Sequence, residues 1–192
     1  MALRFGRLPL SFDVPALLAD LARLAGAEWT PHFNTGYHDG GWSGLALVSD
    51  DGDARRLYGD PLAAGPGRPT PLLGACPAIA AVLDALPAPV QAARLLRLAP
   101  GSVIREHRDH GLGLEEGLVR LHVPIVAGPA VEFVVDNVRV PMSAGECWYL
   151  DLSLPHRVSN PGAGERVHLV LDLRVVPALR ALLPDSEAPM FR

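Results

Sequence analysis

The sequence predicts a mostly β fold, a barrel or sandwich of short strands with helices packed outside it. From residue 90 onward, short runs of strand-forming residues are separated by turn residues. These predicted strands cover 90–98, 102–107, 118–126, 131–135, 146–151 and 166–175. The chain has 192 residues, of which 49% are hydrophobic, so it is long enough to bury one core without disulfides.

The domain organisation follows from the same pattern, because nothing marks a linker, a repeat or a low-complexity segment. We expect one domain over 1–192. Within it we expect helices and loops flanking the barrel over 1–89, a barrel core with the functional site over 90–175, and a C-terminal helix and tail over 176–192.

Three helices are predicted outside the strands. Asp13 is a good N-cap for the first, over 14–24. Its apolar stripe, which has to pack against another element, consists of Leu17, Leu18, Leu21 and Leu24. Prolines bound a second helix over 77–86 and a third over 177–183, and the tail SEAPMFR after the third is expected to fray.

The segment between the first two helices is rich in turn residues. It contains a predicted strand at 45–49, followed by a loop over 50–73 that is rich in Gly, Pro and Asp. Loops of this length are uncommon in compact domains and often act as lids or binding loops. We expect the determinants of the substrate to lie within 30–73 and in Arg120, with Arg94 or Arg157 as further candidates.

Composition excludes several classes of partner. The net charge is −4 and the basic residues are dispersed arginines, without the basic patch that nucleic-acid binding requires. No apolar run approaches the roughly 20 residues of a membrane helix, and no secretory signal is recognisable, so a soluble cytoplasmic protein is expected. Cys76 and Cys147 are expected to be reduced, packed thiols. Oligomeric state is not indicated.

Two predicted strands alternate between apolar and polar residues. In LVRLHVPIV (118–126) the apolar residues share one face, while Arg120 and His122 share the other. In RVHLVLDLRV (166–175) the polar face consists of Arg166, His168, Asp172 and Arg174. The commonest meaning of this pattern is a sheet whose polar face lies in water. The alternative is a small barrel whose polar face lines an internal pocket.

A metal site is suggested by residues at the ends of these strands. His107 and Asp109 are two residues apart, so both can project to the same side, and His156 follows 49 residues later. An H-x-D triplet alone is a weak signal. Two histidines and one carboxylate, however, form the facial triad of non-heme Fe(II) oxygenases, which leaves positions open on the metal. Arg166 in the same pocket suits a distal carboxylate such as that of 2-oxoglutarate.

Other polar and aromatic residues are expected to have lesser roles. The remaining histidines that were considered as metal ligands and set aside are His32, His38, His110 and His168. Trp42 and Trp148 are expected to lie in the core or in a pocket wall. Trp42 is the better candidate for contact with substrate. Asp151 and Asn160 flank His156. They could orient its ring or satisfy backbone groups of the turn, and the two interpretations are equally good.

Several motifs together resemble a known family. They are HRD at 107–109, VRLHVPI at 119–125, GECWYLDLSLPHRVSNPG at 145–162, and Arg166 with HLVLD at 168–172. They resemble the aspartyl/asparaginyl β-hydroxylase family of Fe(II)- and 2-oxoglutarate-dependent dioxygenases, over roughly residues 90 to 175. HFNTGYHDGGWSG in the first half also looks like a segment of bacterial members. The resemblance implies a double-stranded β-helix, or jelly-roll, barrel.

The resemblance also implies roles for individual residues. By this resemblance, the Fe(II) ligands are His107, Asp109 and His156. Arg166 would bind the C5 carboxylate of 2-oxoglutarate, His122 would help to hold its other end, and Arg120 would face the substrate or co-substrate carboxylate. The implied reaction uses O2 to hydroxylate an amino acid, an amino-acid-like carboxylate or a peptidyl Asp/Asn residue while 2-oxoglutarate is converted to succinate.

Asp109 separates this chain from part of the family. The animal aspartyl hydroxylases resemble it at both histidines but lack a carboxylate ligand there, so it looks more like the bacterial free-amino-acid hydroxylases, such as the proline cis-4-hydroxylases. Two functions of other classes stay open. One is a jelly-roll sensor that binds metal or ligand without turnover. The other is a cupin-like metalloenzyme that does not use 2-oxoglutarate, against which Arg166 argues.

Overall fold

The computed structural model describes residues 3–59 and 65–184, and these ranges contain twelve strands and three helices. The helices are α1 (Val14–Arg23), α2 (Pro77–Asp84) and α3 (Pro177–Arg180). The first six strands are β1 (Phe5–Ser11), β2 (Thr30–Pro31), β3 (Trp42–Ser49), β4 (Arg68–Pro69), β5 (Val90–Leu98) and β6 (Val103–His107). The others are β7 (Leu118–Val126), β8 (Glu132–Val135), β9 (Val138–Arg139), β10 (Glu146–Leu150), β11 (His156–Ser159) and β12 (Arg166–Arg174).

The strands form two antiparallel sheets. The larger has the order β1-β10-β7-β12-β5-β3-β2, with β4 paired to β3, and the smaller has the order β6-β11-β8-β9. Side chains of both sheets share one buried cluster, so the sheets enclose a common interior. This confirms the mostly β jelly-roll barrel with helices packed outside it.

Two apolar clusters lie on opposite sides of the larger sheet. On its outer side, Leu121 and Leu171 pack with Leu17 of α1 and Ile79 of α2. The inner cluster, from both sheets, includes Trp42, Leu96, Phe133, Trp148, Val158 and Val170. The polar residues on the inner side of β7 and β12 are therefore enclosed. Of the two interpretations of the alternating strands, the barrel with an internal pocket is the correct one.

The first half of the chain contributes more to the barrel than the sequence predicts. Residues 1–89 are expected to form flanking helices and loops around one strand, but both β1 and β3 belong to the larger sheet. β1 is the edge strand of that sheet and pairs with β10. Pro9 lies within β1, and proline is tolerated on an edge strand because it has no N–H to donate to a neighbour.

The helices follow the predicted pattern with local differences. Asp13 caps α1, since its carboxylate accepts a hydrogen bond from the Ala16 N–H at 3.3 Å. Leu18 is 42% exposed and so does not belong to the buried stripe. α2 and α3 end two and three residues earlier than predicted, at Asp84 and Arg180. The tail SEAPMFR and residues 60–64 of the predicted loop lie outside the described ranges. No helix within those ranges is long and apolar enough to cross a membrane.

Candidate active site

The three predicted metal ligands meet where two strands of the smaller sheet pair. His107 is the last residue of β6 and His156 is the first residue of β11, and the two are direct partners in the register. Asp109 follows β6 by two residues. One potential ligand atom from each side chain lies within 4.8 Å of the others. The pairing of β6 with β11 therefore brings together His107 and His156, which are 49 positions apart in the sequence.

The two imidazole rings are oriented by backbone carbonyls. His107 Nδ1 lies 2.7 Å from the Arg105 oxygen, and His156 Nδ1 lies 3.0 Å from the Leu154 oxygen. A carbonyl only accepts, so each Nδ1 carries its hydrogen and each Nε2 keeps a free lone pair. Burial, with the neighbouring His107, lowers the pKa of His156 to about 4, which keeps that ring neutral. Two imidazole nitrogens and one carboxylate oxygen suit Fe(II).

Arg120 lies against Asp109, the third residue of this group. Its Nη1 donates to Asp109 Oδ2 at 2.5 Å, while Asp109 Oδ1 lies 3.7 Å from His107 Nε2. The other two nitrogens of Arg120 donate to Asp172, Nε to Oδ1 at 2.7 Å and Nη2 to Oδ2 at 2.9 Å. The resemblance implied that Arg120 faces a substrate or co-substrate carboxylate. In the structure, two carboxylates of the protein itself occupy all three nitrogens.

Arg166 and His122 have free hydrogen-bonding atoms in the same cavity. Arg166 is 2% exposed, and no salt bridge within the described ranges neutralises it. Its Nη2 donates to His168 Nδ1 at 2.8 Å, but among described residues neither its Nε nor His122 Nε2 has a partner. Burial lowers the pKa of Arg166 to about 9 and that of His122 well below its usual value. A buried cation beside unpaired polar atoms suits an anionic ligand, so 2-oxoglutarate fits.

The other histidines lie outside the triad, in agreement with the sequence. His168 is buried beside Arg166, and burial holds its pKa well below the usual value. His32 stacks on the Trp42 ring with centroids 3.3 Å apart, and its backbone oxygen lies 3.2 Å from His38 Nε2. His110 is exposed at the rim of the cavity.

The residues that flank His156 satisfy backbone and turn groups. Asp151 accepts hydrogen bonds from Ser153, 3.1 Å from its backbone N and 2.6 Å from its hydroxyl. The Asn160 amide donates to the Leu98 oxygen at 3.1 Å and the Ala99 oxygen at 3.2 Å. Within the described ranges neither side chain bonds to His156, so the structure favours the turn interpretation for both.

One cavity of about 310 Å³ joins the triad to Arg166. Part of its lining comes from the loop-rich first half of the chain and includes His32, Phe33, Tyr37, Trp42 and Tyr58. The segment 30–73, in which we expect the determinants of the substrate, therefore supplies part of the cavity lining. Both tryptophans belong to the inner cluster, but only Trp42 also lines this cavity, and Trp148 donates to Glu146.

A second buried arginine was only weakly indicated by the sequence. Arg94 is 0% exposed and donates through Nη2 to Asp172 Oδ2 at 2.8 Å, while its Nε and Nη1 have no partner among described residues. Its guanidinium carbon lies 5.0 Å from the ring centre of Tyr58. The Tyr58 hydroxyl also lacks a partner within the described ranges, and burial raises its pKa to about 12. No motif marks Tyr58 or links Arg94 to Asp172.

Comparisons with known proteins show similarity to one family of hydroxylases. A family model described as aspartyl/asparaginyl beta-hydroxylase matches residues 12–175. L-proline cis-4-hydroxylase of Rhizobium meliloti (strain 1021) is 26% identical over 190 residues, which cover 94% of this chain. The chain spans 64% of the length of that relative.

Two solved structures are similar in fold. A 2OG-Fe(II) oxygenase family oxidoreductase from Burkholderia pseudomallei has a TM-score of 0.61 at 17% identity, covering 96% of this chain and 89% of that one. HygX from Streptomyces hygroscopicus, solved with nickel and 2-oxoglutarate, has a TM-score of 0.56 at 13% identity, covering 92% and 84%. With the family match over residues 12–175, the chain belongs to the aspartyl/asparaginyl β-hydroxylase family.

Proposed function

We propose that the protein hydroxylates a free amino acid or a similarly small amino-acid-like carboxylate, with Fe(II), 2-oxoglutarate and O2. The observation that carries the proposal is one cavity that contains both an open triad and a buried cation. The triad is His107, Asp109 and His156, and the cation is Arg166, which has no acidic partner among described residues. A sensor without turnover has no comparable use for the pairing of an open metal site with a carboxylate clamp.

Each group has a distinct task in this proposal. The triad holds Fe(II) by two Nε2 atoms and one carboxylate oxygen. When bound, iron and 2-oxoglutarate together supply the oxidising chemistry that replaces C–H by C–OH, with O2 consumed and CO2 and succinate formed. Arg166 binds the distal carboxylate of the co-substrate, and His122 Nε2 lies on the same wall to contact its other end.

Charge in the cavity favours a substrate with one free carboxylate. Arg120 and Arg166 line the cavity with two carboxylates, Asp109 and Asp172, and a third buried arginine, Arg94, lies beside it and bonds to Asp172. The charges of Fe(II) and the 2-oxoglutarate dianion cancel, so one positive charge is left over. Unpaired donors of Arg94 and Tyr58 are suitable groups to take the substrate carboxylate. A peptidyl Asp/Asn residue, the alternative substrate, brings no α-carboxylate to this position.

A turnover assay tests the proposal. The protein is incubated with Fe(II), 2-oxoglutarate and air, first with L-proline because of the curated relative, and then with other free amino acids and blocked Asp or Asn peptides. We expect one or more free amino acids to gain an oxygen atom by mass spectrometry, with equimolar succinate. His107→Ala, which removes a ligand, is the matched control and should give neither product. Metal binding without succinate from any substrate would favour the sensor, and turnover of peptides alone would favour the alternative substrate.

A further inference from the structure

Asp172 is a buried carboxylate without an assigned role. It lies on the inner face of β12 directly opposite Arg120 of β7, and it is 6% exposed. It accepts two hydrogen bonds from Arg120 and one, at 2.8 Å, from Arg94. It is not part of the group of residues that can hold a metal. Its hydrogen bonds nevertheless connect it to that group through a single side chain, that of Arg120.

The path to the metal site runs through the rigid fork of Arg120. With Nε and Nη2 both bound to Asp172, the plane of the guanidinium is fixed, and Nη1 is directed to Asp109 Oδ2 at 2.5 Å. Asp109 itself lies beyond the end of β6, with its side chain 26% exposed. Its backbone N–H donates to the Leu152 oxygen at 2.8 Å, but that bond leaves the side chain free to rotate. Arg120 is therefore the group that fixes the orientation of the carboxylate.

Holding one oxygen of Asp109 leaves the other for the metal. Oδ2 is engaged by Arg120, while Oδ1 lies on the side of His107 Nε2, at 3.7 Å. If Asp172 did not hold Arg120, the guanidinium would be free to turn and to bind both oxygens of Asp109. Arginine and carboxylate prefer this bidentate geometry. That pairing would compete with a cation for the same carboxylate.

We propose that Asp172 is a positioning residue of the metal site, which acts through Arg120 to hold Asp109 as a one-oxygen ligand. The inference rests on the proposed function only in that the triad binds a divalent metal. Partners of metal ligands typically change metal affinity by about 10- to 100-fold when they are removed. Asp172 is one residue further from the metal, but its two bonds control the geometry of the partner.

Co(II) binding in the absence of 2-oxoglutarate tests the proposal, because it reports on the site without turnover. Dissociation constants are measured by calorimetry for the wild type, Asp172→Asn, Arg120→Gln and the double variant. We expect Asp172→Asn to raise the Co(II) dissociation constant about 10- to 100-fold in the wild-type background. In the Arg120→Gln background the same change should have less than about a threefold effect, because the path to Asp109 is already broken.

The double-variant comparison excludes an effect of charge alone. A negative charge acting through space on the cation would give the same fold-change in both backgrounds, which would overturn the proposal. A change below about threefold in the wild-type background would overturn it as well. If Asp172→Asn does not fold, Arg120→Lys replaces it. Lysine keeps the charge but cannot join both carboxylates through a rigid fork, so the same loss of Co(II) affinity is expected.

A matched control separates positioning from general loss of stability. Asp20 is another buried carboxylate, 0% exposed, which binds Arg23 and the Ile79 N–H outside the cavity. Asp20→Asn should leave the Co(II) dissociation constant unchanged, and an equal loss of affinity there would overturn the assignment of Asp172. Failure of the wild type to bind Co(II) would refute the proposed function itself. Normal wild-type binding with an unaffected Asp172→Asn variant would refute only the positioning role.

Discussion

Arg166 is a buried cation in surroundings that suit an anionic ligand. It is buried and cationic, and its Nε is without a partner in the part of the chain that the structure describes. Burial is unfavourable for an unpaired charge, and here it lowers the pKa of Arg166 to about 9. Without an anion, this buried charge lowers the stability of the folded protein. The same charge favours binding of the co-substrate, so stability and binding favour different side chains at this position.

Arg166→Met should therefore change two properties in opposite directions. We expect the unfolding free energy of the metal-free protein to rise by about 1–3 kcal/mol, because an unpaired buried charge is replaced by an apolar side chain. The KM for 2-oxoglutarate should rise by about 100-fold or more, because a buried charged pair is lost. Denaturant titration and steady-state kinetics measure the two effects. Loss of stability together with an unchanged KM would show that Arg166 is structural.

Substitutions of the residues proposed to bind the substrate carboxylate should have a different kinetic effect. Arg94→Gln and Tyr58→Phe each remove an unpaired donor near the proposed site of the substrate carboxylate. We expect the KM for the amino acid to rise, by about tenfold for Tyr58→Phe and more for Arg94→Gln, since bonds to charged groups contribute about 1.5–3 kcal/mol. The KM for 2-oxoglutarate should stay within a factor of about two. Equal effects on both KM values would place the two carboxylates differently.

The residues predicted from sequence are those whose chemistry stands out in a short segment. Residue type, spacing and strand alternation single out His107, Asp109, His156 and Arg166 as candidates, and the structure brings the first three together. Asp172 was assigned to the polar face, but its bonds depend on which strands are neighbours. That register joins residues 52 positions apart, and no local pattern encodes it.

At the scale of elements, Asp20 joins two helices of the outer layer. Its carboxylate on α1 accepts a hydrogen bond from the Ile79 N–H of α2 at 2.8 Å, and it also binds Arg23. Cys76, at the N-cap position of α2, makes no side-chain cap bond, so Asp20 supplies an acceptor that the local sequence lacks.

Asp20→Ala should destabilise the protein without affecting the active site. We expect a loss of about 1–3 kcal/mol in the free energy of unfolding, because a buried N–H of α2 is left unsatisfied. Denaturant titration measures the loss, with Asp13→Ala, which removes the exposed cap of α1, as a milder comparison. A change below about 0.5 kcal/mol would show that α2 does not depend on this bond.

Five strands of the described ranges lie outside the predicted set, and three of them, β2, β4 and β9, have only two residues each. The other two, β1 and β11, have weak local signals. β1 contains Pro9 and a glycine, both of which argue against a strand unless it lies at an edge. β11 has four residues, of which only Val158 is apolar. It is paired on both sides, with β6 and β8, so its conformation comes from its neighbours. By contrast, β5, β7 and β12 follow the predicted bounds to within one residue, since each is long and apolar.

At the scale of the whole molecule, buried neutral histidines couple folding to pH. Burial lowers the pKa of His32 to about 3, and those of His122 and His168 well below their usual value. The unfolded chain binds protons at these rings near pH 6.5, whereas the folded protein does not. Their contribution is therefore fully present above about pH 6.5 and is lost as the pH falls below it.

The metal-free protein should become less stable as the pH is lowered from 7.5 to about 5. Each ring that stays neutral in the fold contributes a slope of up to about 1.4 kcal/mol per pH unit. Denaturant titrations in the presence of a chelator measure the slope at several pH values. A free energy of unfolding that is constant across this range would contradict the buried, neutral state of these histidines. The organisation of 1–192 as one domain, a prediction so far, should appear there as a single transition.

The most direct test of the metal and co-substrate site is anaerobic absorption spectroscopy. The chelate of Fe(II) with 2-oxoglutarate absorbs weakly in the visible range, whereas neither component alone does so. We expect the band in the wild type only when both are present, its absence in His107→Ala and His156→Ala, and a higher 2-oxoglutarate requirement in Arg166→Met. A wild type that shows no band, or a band that survives the loss of either histidine, would contradict this site.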